Sequence, residues 1–163
     1  MGCLTRAKPT PTDNWFGSMP SWRLPLERDA FRLYGPLIEI VQTENSLVYR
    51  HSGIRVSGRP SVVPVRVEFY ADPNYNTFGL DPSDYPRVFA DPGAASKHRM
   101  QDDSLCLYFV NDPPERRWTS DKGLLGLLDL TADHLFLEDY WRSTGGVHKG
   151  QWLGPEAPHG MRS

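Results

Sequence analysis

One stretch limits the architecture more than any other: Val62-Val-Pro-Val-Arg-Val-Glu-Phe-Tyr70. Val63, Val65, Val67 and Phe69 alternate with Pro64, Arg66, Glu68 and Tyr70. A period of two puts the apolar side chains on one face of a strand and the polar ones on the other. Such a strand needs an antiparallel sheet with one dry face and one wet face. Pro64 has no N–H for a ladder bond, so the strand is expected to begin at an edge or a bulge.

Neighbouring segments supply its partners. Leu37-Ile-Glu-Ile-Val41 is a run rich in β-branched residues. Leu47-Val-Tyr49 and Ile54-Arg-Val56 read as one strand with an irregularity at Ser52-Gly53. After a long loop from Asp72 to Ser83, Tyr85-Pro-Arg-Val-Phe-Ala90 is a short fourth strand. Strands joined in chain order predict an antiparallel meander. Helical patterns flank it. Trp22, Leu26, Ala30 and Leu33 recur at helical spacing, with Pro25 near the first turn. Leu124, Leu125, Leu127, Leu128 and Leu130 load one broad face of a helix from Asp121, with Ser120 as its N-cap. A second helical piece is expected over Leu135 to Trp141, stopped by Gly145-Gly146. The expected fold is therefore α+β: a four-stranded antiparallel meander sheet with helices packed on one face. Residues 1–21 read as a flexible arm and residues 22–163 as a single domain.

Charge and cysteine content exclude some functions. A net charge of −2 offers no electrostatic footprint for nucleic acid. No apolar run approaches the ~20 residues that span a bilayer, and the N-terminus lacks the apolar core of a signal peptide. Cys3 and Cys106 are too few for a disulfide framework, so the expected location is the reducing cytoplasm. Histidines and cysteines show no metal-ligand spacing, and no glycine-rich phosphate loop occurs. No metal or cofactor is expected.

The chemistry-bearing stretch runs from His98 to Thr119. Cys106 sits between Leu105 and Leu107, where a cysteine is by default a small core residue. Its surroundings give another reading. His98 lies eight residues upstream, Asp102-Asp103-Ser104 forms a polar turn between them, and Trp118-Thr119 leads into the Leu-rich helix.

Taken in order, these parts resemble the ubiquitin-conjugating enzyme (UBC) family over Gly35 to Leu135. The shared parts are a meander, a Tyr85-Pro-Arg-Val strand, a loop ending in Asp103-Ser-Leu-Cys106-Leu, and Trp118-Thr119 before a helix. The resemblance implies that Cys106 is the thioester-forming cysteine. His98 falls where the family has the asparagine of His-Pro-Asn, and Ser120 replaces the family's proline. The His-Pro-Asn motif is missing and the C-terminal part is short. In both respects the chain is similar to bacterial UBC-like proteins of anti-phage (CBASS) operons, which lie beside a cGAS-like nucleotidyltransferase. Those relatives often close with a Pro- and His-bearing tail, similar to Trp152-Leu-Gly-Pro-Glu-Ala-Pro-His159. The resemblance implies that the acyl donor is the C-terminus of that nucleotidyltransferase and that the acceptor is a protein lysine or another amine.

The implied chemistry makes demands on the residues. A thioester carrier needs an accessible thiol with thiolate character. The oxyanion formed on amine attack needs a donor, which one ring nitrogen of His98 supplies; the other can accept the amine proton. Trp118 and Thr119 are supporting candidates that fix the return into the helix. Asp139, with Asp102, Asp103 and Glu138, is a candidate acid near the site, and His159 is a tail histidine that could reach Cys106. Two other functions compete. One is a non-catalytic UBC-like binding module, although such family members lack the cysteine. The other is a cysteine hydrolase using Cys106 with His98 or His159, although in the papain-like arrangement the cysteine opens a helix.

Overall fold

A computed structural model describes residues 15–155. Cys3, His159 and the arm up to residue 14 lie outside the described residues. Four strands form one antiparallel sheet in chain order: β1 Ile38–Gln42, β2 Ser46–Ile54, β3 Val63–Tyr70 and β4 Arg87–Phe89. The register sets Ile40 against Tyr49, Tyr49 against Val67, and Val67 against Val88. One face is thus continuously apolar across the sheet, while Arg50, Arg66 and Glu68 share the other. The expected bulge lies between His51 and Ile54 of β2. Pro64 falls opposite it and beyond the end of β4, which pairs only with Arg66 to Glu68. Its missing N–H therefore breaks no ladder.

Both helices cover the dry face. Helix α1, Pro20–Tyr34, contributes Leu26 and Ala30 to the core, and helix α2, Gly123–Ser143, contributes Leu124, Leu127, Leu128 and Leu135. The α+β architecture expected from the alternation is the one observed. Each fully buried leucine-sized side chain in this layer stabilises by about 1.5–3 kcal/mol.

Four local expectations are corrected. First, the arm does not extend to residue 21. Trp15 is buried, and Trp15, Phe16, Trp22 and Phe69 meet edge to face in a chain with centroids 5.0, 4.7 and 5.1 Å apart. Aromatic burial outweighs the polar composition around it. Gly17 belongs to this packing, because a Cβ there would lie 2.1 Å from the Trp15 ring. Second, α1 starts at Pro20, so Pro25 is inside the helix. The break is tolerated because Ser21, whose carbonyl loses its partner, is exposed to water. Third, Ser120 does not cap α2. It opens a 3₁₀ turn, Ser120–Lys122, and its backbone N–H donates to Asp84 Oδ1 at 2.8 Å. Fourth, α2 is one helix. Its buried stripe passes from the leucines through Thr131, His134 and Glu138 to Trp141. Polar residues on that stripe are what made the pattern look broken in sequence. Among the described residues, no helix is long and apolar enough to cross a membrane.

Candidate functional site

Beyond β4 the chain folds into a miniature hairpin. Arg99 and Leu105 form an isolated antiparallel bridge. On either side of it, Cys106 N–H donates to His98 O at 3.1 Å and Met100 N–H to Ser104 O at 2.8 Å. His98 therefore stands directly opposite Cys106. Directly opposed residues point to the same side with Cβ atoms about 4.5–5.5 Å apart. The Asp102-Asp103 pair builds the turn. Asp102 Oδ1 accepts from Ser104 N at 3.0 Å and Ser104 Oγ at 2.5 Å. Asp103 takes a positive φ of 70° and accepts the Gly93 N–H at 2.8 Å. The hairpin is tied to the sheet by Leu105 N–H, which donates to Val88 O at 2.8 Å.

The two faces of the hairpin do different work. Leu105 enters the main core, while Cys106 joins a second apolar cluster with Tyr85, Met100 and Val110. Cys106 is buried, with only 4% of its surface exposed. Tyr108 closes this cluster and donates to Asp84 O at 2.7 Å. Burial pushes the Tyr85 phenol up, Arg87 opposes the rise, and the Cys106 sulfur adds to it.

His98 and Cys106 reach one cleft of about 560 Å³ between the hairpin, α2 and the loop before it. Its apolar wall includes Leu107, Phe109, Trp118, Leu130 and Leu137, and its charged lining is mixed, with Arg116, Arg117 and Lys122 beside Asp112, Glu115 and Asp133. Lys122 Nζ donates to Pro114 O at 2.7 Å and also to Arg117 O, which pins the loop over the cleft. Trp118 is buried and donates from Nε1 to Gly123 O at 2.9 Å, joining the loop to the first turn of α2. The end of the described chain folds back over the same cleft. The Trp152 ring meets His98 edge-on at 4.5 Å and His134 at 5.3 Å between centroids.

Behind the cleft lies a buried ionic network. Glu138 is fully buried and takes Arg99 in bidentate fashion, Nε to Oε1 at 3.2 Å and Nη2 to Oε2 at 3.0 Å. Arg142 Nη1 adds a contact at 3.2 Å, and His134 Nε2 lies 3.0 Å from Oε1. Burial raises the Glu138 carboxyl, but His134 and Arg99 more than offset it, so it stays below its ordinary range. Arg99, also fully buried, is held by Asp103 at 3.2 Å and by Asp91 O at 2.8 Å.

The sequence-derived candidates divide accordingly. Cys106, His98 and Trp118 line the cleft. Thr119 is buried beside it and donates to Asp121, a structural contact within the turn before α2. Asp139 is corrected: it faces away, bound to Arg59 at 2.7 Å and Arg142 at 2.7 Å. One residue of helix phase separates it from Glu138, which is buried behind the cleft and contacts His134 of its lining. His159 lies outside the described residues. Sequence reasoning missed His134, Arg99 and Trp152. The available signal for His134 was its spacing of four from Glu138, on a stripe that begins with leucines. Among the described residues no group of three or more His, Cys, Asp or Glu side chains could hold a metal ion. Comparison with family models, curated proteins and solved structures gives no match to this chain.

Proposed function

We propose that this chain is a ubiquitin-conjugating-like acyltransferase of the cytoplasm that carries an acyl group on Cys106 and passes it to an amine. The observation that carries the proposal is the hairpin pairing of Cys106 with His98 at one cleft. Attack on a thioester at Cys106 puts an oxyanion beside that sulfur. A ring N–H of His98, on the same side of the hairpin, is the donor we assign to it. The cleft has an apolar wall and a lining that carries both signs of charge, which suits a peptide segment as the acyl group. We assign the donor as the C-terminus of a cGAS-like nucleotidyltransferase, following the resemblance to the bacterial UBC-like proteins of CBASS operons. The product would prime anti-phage signalling.

A synthetic peptide thioester tests the carrier step without an activating enzyme. Transfer of the peptide to Cys106 is read by intact mass, and the adduct should disappear with DTT and in Cys106→Ala. An unmodified protein, or an adduct that survives Cys106→Ala, would sink the proposal. His98→Ala should still load but should pass the peptide to lysine about 10²–10³-fold more slowly. Replacing the peptide by the nucleotidyltransferase itself tests the donor. A cysteine hydrolase remains the competing reading, because a Cys106 with imidazoles at its cleft also fits water as acceptor. Rapid release of free peptide acid with lysine present, and no amide, would favour it.

A further inference from the structure

We infer that His134 is the base that takes the proton of the incoming amine, oriented by Glu138. The inference rests on the acyl-carrier reading of Cys106 and adds a second imidazole to it. His134 is only 5% exposed, yet it lines the cleft that reaches Cys106 and His98. It projects from α2, whereas His98 belongs to the hairpin. Trp152 packs its edge against both imidazoles. The two rings therefore share one small environment.

The protonation pattern follows from the partners. Nε2 of His134 lies 3.0 Å from the Glu138 carboxylate, an electrostatic contact without hydrogen-bond alignment that favours a proton on Nε2. That leaves the lone pair on Nδ1 as the basic site. A carboxylate behind an imidazole also stabilises the imidazolium that forms when Nδ1 takes a proton. Glu138 is fixed for this by Arg99 and Arg142, and its burial excludes water as a competing partner. Leucines fill the neighbouring stripe positions of α2, so packing alone does not call for an imidazole and a carboxylate here.

The step balances as follows. A lysine ammonium gives one proton to Nδ1 of His134, and the neutral amine nitrogen then attacks the thioester carbonyl carbon on Cys106 Sγ, forming the C–N bond while the carbonyl electron pair moves onto oxygen. The carbonyl re-forms, the C–S bond breaks, and the electron pair leaves on sulfur. The remaining excess N–H proton is lost to water, and the His134 proton goes to the thiolate, giving the amide and the free thiol. His98 holds the oxyanion while His134 takes the proton that frees the attacking lone pair. Separate residues for the two tasks avoid asking one imidazole to be donor and acceptor in the same step.

The test uses the full chain, preloaded on Cys106 from a peptide thioester, with lysine and hydroxylamine as acceptors. Lysine arrives protonated at pH 7 and must lose that charge, whereas hydroxylamine is already neutral. His134→Gln should load like the wild type, lose about 10²-fold in transfer to lysine, and change little toward hydroxylamine. His134→Asn is read the same way and serves where the Gln variant lacks a cooperative melt. Equal losses toward both acceptors, or no loss toward lysine, would overturn the base assignment while leaving Cys106 as carrier. Absence of any wild-type adduct would instead overturn the acyl-carrier reading itself.

Discussion

Glu138→Gln is the most informative single change. The side chain keeps its shape and loses its charge. In the native protein that charge faces Arg99, which is fully buried, at 3.0 and 3.2 Å. Removing one member of a buried ion pair costs about 3–5 kcal/mol, because the other charge is left in a poor solvent. Arg99 retains Asp103, which is one-third exposed, and the Asp91 carbonyl. We therefore expect the lower end, about 3 kcal/mol, or a fall in Tm of about 6–12 °C for a domain of this length. The pH dependence fixes the cause. The Glu138 carboxyl titrates below its unfolded value near 4.5. Its contribution is therefore fully present above that value and is lost as pH falls through the folded one. Urea unfolding followed by circular dichroism at pH 7 and at stepped acid pH reads both effects. The gap between wild type and Glu138→Gln should be widest above pH 4.5 and close below it. A variant within about 1 kcal/mol of the wild type at pH 7, or a gap independent of pH, would refute the network as drawn.

Three further outcomes follow from the same geometry. Trp118→Ala removes a buried indole and its hydrogen bond to Gly123 O, and should destabilise by about 3–5 kcal/mol in a thermal melt. Gly123→Ala should cost about 1–3 kcal/mol, because φ of 84° and ψ of 162° form a region open in practice only to glycine; the nearest atom to a new Cβ, Leu26 O, is 3.6 Å away, so strain and not collision sets the cost. Trp152→Ala should leave the melt within about 0.5 kcal/mol of its parent yet speed iodoacetamide labelling of Cys106 severalfold in a Cys3→Ser background; an unchanged labelling rate would mean that Trp152 does not guard the cleft.

Some of this protein is written locally. The alternation of Val63 to Phe69 determines a sheet with one dry face, since period two assigns each side chain to a face whatever the strand later meets. The bulge at Ser52-Gly53 and the tolerated Pro64 are likewise local consequences of backbone chemistry. The Asp102-Asp103-Ser104 turn brings His98 back opposite Cys106 within nine residues, whereas in sequence the pair stood out only through the position of His98 in the resemblance to the UBC family. Other features needed the folded chain. Trp15 reads as part of a polar arm until Phe16, Trp22 and Phe69 surround it. Thr131, His134 and Glu138 interrupt the leucine stripe of α2 when only hydrophobicity is counted. Thr131 is satisfied by Leu127 O of its own helix, but Glu138 stays buried because Arg99, from a hairpin far away in the chain, supplies the charge that makes a buried carboxylate tolerable. The same distant pairing distinguishes Glu138 from Asp139: both meet Arg142, but Glu138 takes Arg99 and Asp139 takes Arg59. Periodicity determines which face a residue occupies; only tertiary contact decides whether a polar residue on a buried face has the partner that lets it stay there.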